Sequence, residues 1–404
     1  MTTEEFIAAN ADGDVNRLAF LRDRYPDVDM AYALDQIAGR QTARRKLPSW
    51  AAMDGIVYPP HLSMEQCSSE LTARYKAAVA HAAVAEVGAR LSGDDSLMVD
   101  LTGGFGVDFS FVSRGFSRAV YVERNPRLCD IARHNFVLLG MDNARVVCGE
   151  SLALLRSMSG KVSLIFLDPA RRDSYGGKTV AISDCTPDVL AMRDELLARS
   201  SVVVLKLSPM LDWHKAVADL GQCVSAVHIV SAEGECKELL LVLRSGMGTE
   251  RPTVVCADCT AGRRFVIRPG QQGKSCPIVS LDTEAPLWLH IPDASVMKSG
   301  CFGALAAVFG VEALSRNSHV FFSHSPVDGF PGRSFCVTAV ATLNKKDLRK
   351  AFAGIDRANV AVRNFPMSAE ALRSRLKLRD GGDVYVFASS DNNGRKLLFI
   401  TRKD

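Results

Sequence analysis

The spacing of apolar and polar positions changes several times along this 404-residue chain, and the changes divide it. Over residues 1–45, apolar side chains such as Phe6, Leu18, Leu21, Ala31, Leu34 and Ile37 recur between polar ones, which predicts a small helical region. Tyr58-Pro-Pro-His61 interrupts it. Ser63 and Gln66 then have the spacing of a capping box, predicting a helix from there to about Leu91, with Ser92-Gly-Asp-Asp95 as a turn. Beyond it the pattern switches to short apolar runs at Ser96–Leu101, Ala119–Glu123, Arg145–Cys148, Val162–Asp168, Val202–Leu207, Ala226–Val230 and Leu239–Leu243, with helical stretches filling several gaps. Such alternation predicts an α/β unit, a parallel sheet covered by helices on both faces. Too few residues separate the last two runs for a crossover helix, so an antiparallel hairpin is expected at one edge.

No apolar run approaches the roughly 18 to 20 residues of a membrane span. The N-terminal MTTEEFIAANADGD lacks the basic and apolar regions of a signal peptide. A cytoplasmic protein without a membrane partner is the expectation, and nothing points to an obligate protein partner. Eleven scattered cysteines read as reduced thiols. Cys256 and Cys259 form a lone CxxC, half of a zinc site, which Cys236, His228 or Cys276 could complete only by folding together; no metal is expected. His319 and His324 are expected to mark the ends of an apolar strand.

Charge is unevenly spread. From Arg251 to Asp404 there are 22 Lys and Arg against 13 Asp and Glu, leaving 27 against 32 for residues 1–250. The basic excess is densest between Lys345 and Arg379, ten basic residues facing three acids. A stripe of this kind attracts polyanions, RNA or DNA; a solvated helix face is the plainer alternative.

Asp100-Leu-Thr-Gly-Gly-Phe-Gly-Val-Asp108 stands where the first predicted strand ends and a helix begins, the edge at which open α/β sheets bind ligands. Gly103, Gly104 and Gly106 allow close backbone approach, and Thr102 lies in the same turn. Asp100 and Asp108 disfavour a pyrophosphate and suit a ligand carrying an amino group; Phe109 replaces the third glycine of the dinucleotide fingerprint. Glu123, followed by Arg124 and Asn125, ends the second strand, where an acid can accept from both ribose hydroxyls. Glu150 and Ser151 follow the third strand, within reach of an adenine amino group, and Asp168-Pro-Ala-Arg-Arg-Asp173 follows the fourth. Ribose together with an amino acid points to S-adenosyl-L-methionine.

With DLTGGFGVD, YVERN, CGES and LDPARRD in that order, the chain resembles the class I S-adenosylmethionine-dependent methyltransferases over about Glu65 to Arg244. More narrowly, with YPPHLSMEQCSSELTARYK upstream, it is similar to bacterial methyltransferases that carry a C-terminal THUMP-like domain. The resemblance implies a Rossmann-like domain with a seven-stranded, mostly parallel sheet, a helical N-terminal region and an α+β ferredoxin-like and THUMP-like C-terminal region. The boundaries expected are 1–62, 63–248, 249–325 and 326–404. THUMP modules imply an RNA substrate, tRNA or rRNA.

Asp168-Pro169 is similar to the DPP and NPP motifs of amino methyltransferases, which implies that Asp168, Pro169 and a nearby backbone carbonyl orient an exocyclic amine. Ala170 stands where a second proline is usual and no aromatic follows, so base stacking would fall to Tyr175 or Phe105. Arg171 and Arg172 could bind substrate phosphate or pair with Asp173 or Asp168. A rival reading takes Lys206 as a base whose pKa is lowered by burial, with Asp168, Glu238 and Lys76 resembling the Lys-Asp-Lys-Glu set of ribose 2′-O-methyltransferases. A non-catalytic RNA-binding scaffold that retains the cofactor pocket is a third.

Overall fold

The computed structural model describes residues 1–88, 96–171, 182–246, 251–281 and 286–403, with only the backbone of Arg171 described. Leu91 and the turn expected at Ser92–Asp95 lie outside the described residues, as do Arg172, Asp173 and Tyr175. The chain forms two units: Met1–His228 with Lys237–Pro252, and Ile229–Cys236 with Thr253–Asp404.

The first unit is built on β1 (Leu97–Asp100), β2 (Arg118–Glu123), β3 (Ala144–Cys148), β4 (Leu164–Leu167), β5 (Val203–Leu207) and the bases of β6 (Val224–Ala232) and β7 (Glu235–Leu243), whose tip, Ile229–Cys236, belongs to the second. Their lateral order is β3-β2-β1-β4-β5-β7-β6. The first five pair in parallel and β7 runs antiparallel to β5. β4 is buried throughout, as burial by helices on both faces demands. The expected hairpin is present and longer than its apolar runs, turning on Glu233 and Gly234, both at positive φ (54° and 78°). That left-handed pair gives the tight turn whose twist matches the strands.

The N-terminal helices enclose Phe6, Leu18, Val28, Met30, Ala33 and Ile37. Ala31 is exposed, contrary to expectation, because Asp29 caps the helix Met30–Lys46 and turns Met30, Ala33 and Ile37 inward. The predicted capping box is also displaced. Ser63 and Gln66 lie inside a six-residue helix, His61–Gln66; the chain then extends, and Ser69 caps the long helix Glu70–Glu86 by accepting from the Thr72 N–H.

The second unit holds β8 (Thr253–Asp258), β9 (Arg263–Ile267), β10 (Trp288–Pro292), β11 (Glu312–Ala313), β12 (Phe321–Ser323), β13 (Gly332–Thr342), β14 (Asn359–Arg363), β15 (Val384–Ser390) and β16 (Lys396–Lys403). β8 and β9 form an antiparallel pair that continues the sheet past β6, so that sheet has nine strands where seven were expected. The other seven make a sheet in the order β11-β12-β10-β13-β16-β15-β14, in which only β14 and β15 run parallel. Neighbouring residues serve opposite faces: Phe387 and Phe399 join a core with Leu289 and Phe335, whereas Val386 and Leu398 join one with Ala341 and Leu372. His319 and His324 flank β12, as expected. Among the described residues no helix is long and apolar enough to cross a membrane.

Candidate functional site

The three glycines of the turn after β1 serve different ends. A Cβ on Gly103 would lie 2.1 Å from the Tyr121 ring and one on Gly106 2.8 Å from Phe136, so these two exist for packing. A Cβ on Gly104, at φ 56°, would meet nothing nearer than 3.9 Å, so the space beside it is open, while its carbonyl accepts from the Tyr121 hydroxyl. Its N–H donates to Glu123 Oε2 at 3.0 Å, while Glu123 Oε1 accepts from the Asn125 N–H at 2.8 Å. Each carboxylate oxygen is thereby aimed and keeps a lone pair for a ligand hydroxyl. The Asn125 side chain caps the following helix, and Arg124 is exposed.

Glu150 is exposed and its side chain makes no capping bond, leaving the carboxylate available. Ser151 is committed: its hydroxyl donates to the Leu101 carbonyl at 2.5 Å. Thr102 ties two strand ends together, since its hydroxyl accepts the Asp168 N–H at 2.6 Å and donates to Asp100 Oδ1 at 3.3 Å.

Two acids of the turn do not face outward as the sequence suggests. Asp100 is 1% exposed, and its Oδ1 also accepts from the Thr102 N–H. Asp108 accepts from the Ser68 hydroxyl at 2.8 Å and lies 3.2 Å from the Lys76 ammonium and 3.8 Å from that of Lys206. Lys76, wholly buried, donates two 2.7 Å bonds to Glu238 and one of 2.9 Å to Ser68. Lys206 Nζ closes on Asp168 Oδ2 at 2.5 Å. The set suspected from sequence is thus one connected network. Asp108 and Ser68, which sequence reasoning left out of it, join its halves. Thr72 and Lys76 share a helix face, but Ser68 precedes the Ser69 cap and no spacing marked it.

Lys206 requires a correction. Burial alone would depress its pKa, but Asp168, Asp108 and Glu238 outweigh burial and hold it above the ordinary lysine range. A lysine so held is an ammonium and does not serve as a base. Burial also raises Glu238, against the pull of Lys76 and Lys206.

Asp100 behaves differently. Burial, reinforced by Asp108 and Asp168 and resisted by the Thr102 bonds, pushes its carboxyl up to about 8. Between about pH 4 and pH 8 the folded protein therefore keeps a proton that the unfolded chain releases. Stability from this group is complete below about pH 4 and is lost as pH rises to about 8, at up to ~1.4 kcal/mol per unit. Urea denaturation at successive pH values should show this slope in the wild type and its disappearance in Asp100→Asn; equal slopes would contradict the assignment.

With Asp100 protonated below about pH 8, the cluster holds three carboxylates, Asp108, Asp168 and Glu238, against two ammonium groups, Lys76 and Lys206. Such an excess suits a cation and repels pyrophosphate. The open space beside Gly104 and the aimed Glu123 carboxylate fit an S-adenosylmethionine on the same edge.

Asp168 is 38% exposed, and its Oδ1 has no partner among the described residues. Pro169 is buried; Ala170 and Arg171 pair with Cys185 and Thr186 in a short antiparallel ladder. Phe105 cannot stack a base, because it is 5% exposed and packs edge-on against Trp50.

In the second unit, the helices Lys345–Ala351 and Ala369–Leu376 flank β14 in sequence and carry most of the basic stretch. Arg373 pairs with Asp380 and Arg379 with Asp356. Lys345, Lys346, Arg349, Lys350, Arg375 and Lys377 are exposed and form no ion pair among the described residues. None of the described cysteines forms a disulfide, and no metal-binding group of side chains occurs among the described residues.

Comparison with known proteins adds three findings. Residues 332–403 match the family described as THUMP domain-like, and residues 288–331 a ferredoxin-like domain. Uncharacterized S-adenosylmethionine-dependent methyltransferases of two Mycobacterium tuberculosis strains are 25% identical over 294 residues, covering 71% of this chain and 75% of theirs. A Porphyromonas gingivalis W83 crystal structure, provisionally described as a methyltransferase, is 28% identical with a TM-score of 0.81, covering 100% of this chain and 99% of that one.

Proposed function

We propose that this class I S-adenosylmethionine-dependent methyltransferase with a C-terminal THUMP-like domain methylates RNA, tRNA or rRNA, on a base exocyclic amine oriented by Asp168 and Pro169. The observation that carries the reading is the state of Asp168: Lys206 clamps Oδ2 at 2.5 Å, while Oδ1 has no partner among the described residues at the carboxyl edge of β4. One amine N–H donates to that oxygen and a second to a backbone carbonyl of the Asp168-Pro169 stretch. The nitrogen lone pair is left pointing at the methyl group.

S-adenosylmethionine supplies a methyl already activated on sulfonium. The protein's share is then geometry, worth up to ~7 to 11 kcal/mol in favourable cases. Gly104, Glu123 and Glu150 bind the cofactor, with Asp100 and Thr102 shaping the turn beneath it. In the transfer the N–C bond would form as the sulfur–methyl bond broke, with S-adenosylhomocysteine as leaving group, and Asp168 would accept the surplus amine proton. The exposed basic side chains of residues 345–377 supply phosphate contacts, and a cytoplasmic location suits both RNA and free thiols.

A second reading, ribose 2′-O-methylation, is favoured by one observation, that Lys76, Asp168, Lys206 and Glu238 share a network. Labelled methyl transfer to RNA from cells lacking the gene, followed by nucleoside identification, separates the two. An N-methylated base supports the proposal and a 2′-O-methyl nucleoside replaces it. Absence of labelling favours the scaffold.

The basic surface yields its own prediction. Replacing Lys345, Lys346, Arg349 and Lys350 together by Gln should flatten the slope of log Kd against log salt for RNA by about 3, at ~0.7 to 0.9 per lost phosphate contact. Cofactor affinity should stay unchanged. An unaltered slope in filter binding would place the RNA surface elsewhere.

A further inference from the structure

Burial declines steadily along the charge network, from Lys76 (side chain 0% exposed) and Glu238 (4%) through Asp108 (11%) and Lys206 (13%) to Asp168 (38%). Its inner end is anchored by bonds from Lys76, two to Glu238, one to Ser68 and a longer one to Thr72. Its outer end is the residue read above as orienting the acceptor. Asp108 is the joint between them, held by Ser68 and lying between the two ammonium groups. Its buried Oδ1 has no well-aligned hydrogen bond and lies 3.2 Å from the Lys76 ammonium. A carboxylate in that state is retained for its charge, since a neutral isostere would fill the same space. Asp108 also lies two residues past Gly106, in the first turn of the helix that the Gly-rich turn opens.

We propose that Asp108 is a positioning residue: it fixes the Lys206 ammonium at the point from which Lys206 holds Asp168 toward the methyl acceptor, and so ties acceptor alignment to the cofactor turn. The inference rests on the reading of Asp168 given above. The groups facing Lys206 are Asp168 at the end of β4, Asp108 on the helix after β1, Glu238 on β7, and, from the preceding segment, Cys67. Loss of the Asp108 charge removes one of three carboxylates that keep Lys206 charged. Lys206 then deprotonates at lower pH and releases Asp168.

The test uses full-length Asp108→Asn and Ser68→Ala. Methyl transfer to RNA from cells lacking the gene is measured in single turnovers across pH, and S-adenosylhomocysteine binding by calorimetry. Asp108→Asn should transfer methyl ~5-fold more slowly at pH 7, no more than removal of Lys206 itself would cost, with cofactor-product affinity within ~3-fold of wild type. Its alkaline loss of activity should begin at lower pH, and Asp108→Glu should recover part of the rate. Ser68→Ala, which leaves every charge in place, should give a milder form of the same signature and keeps the test open if Asp108→Asn fails to fold. An unchanged rate and pH profile in the folded variants overturns the inference, as does a loss of rate matched by an equal loss of binding. Wild-type protein that labels no RNA overturns the Asp168 reading, and the inference with it.

Discussion

Asp168→Ala is expected to slow methyl transfer by about a thousandfold or more while S-adenosylhomocysteine binds within ~3-fold of wild type. Asp168 stands at the end of β4 with one oxygen fixed by Lys206 and one open, so its removal takes away alignment and leaves the Gly104 and Glu123 cradle intact. Lys206→Ala separates the two chemical readings. An amine needs only acceptors and geometry, so the variant should keep activity within ~10-fold. A ribose hydroxyl, with its high pKa, gains far more from an adjacent cation. A loss of three decades in Lys206→Ala, with the fold preserved, would favour the ribose. Single-turnover transfer and calorimetry on each variant provide the comparison.

Lys76→Met should destabilise the protein by ~3 to 5 kcal/mol, measured by urea denaturation at pH 7. The side chain is fully buried, and its loss strands the Glu238 carboxylate, 3% exposed, and the buried Oδ1 of Asp108. The double variant Lys76→Met, Glu238→Gln should recover part of the loss, because the second change removes a stranded charge. A single-variant cost below ~1 kcal/mol would mean that water reaches the network.

The parallel strands were legible because burial on both faces leaves each as a short apolar run; Leu164–Leu167 shows this most simply. The β6–β7 hairpin could be placed from spacing alone, although its tip was missed because Ser231, Glu235 and Lys237 interrupt the apolar pattern. The start of the long helix was misplaced because two serines, Ser63 and Ser69, offer similar caps and only the extended backbone at Cys67 decides between them. Strand ends marked Asp100, Glu123, Glu150 and Asp168 as neighbours. Which of them point at a ligand depends on side-chain direction: Asp100 turns under the loop and Glu150 does not. The charge state of Lys206 was least legible. Its sign depends on how many carboxylates surround it, and these come from positions 108, 168 and 238, which share no periodicity.

The β6–β7 hairpin has a consequence for the order in which the protein is made. Its tip, Ile229–Cys236, clusters with the second unit, while Lys237–Pro252 returns to the first. During synthesis the first unit therefore lacks β7, the antiparallel neighbour of β5, until a fragment of the second has already emerged, so the two cannot mature strictly one after the other. A polypeptide ended at Pro252 would keep the tip but not the rest of the unit it clusters with, although Ile229 and Val230 are fully buried in the whole chain. Dissection into two independently folding pieces thus calls for shortening the hairpin as well as cutting the chain, with Glu233 and Gly234 offering a turn that can be moved inward.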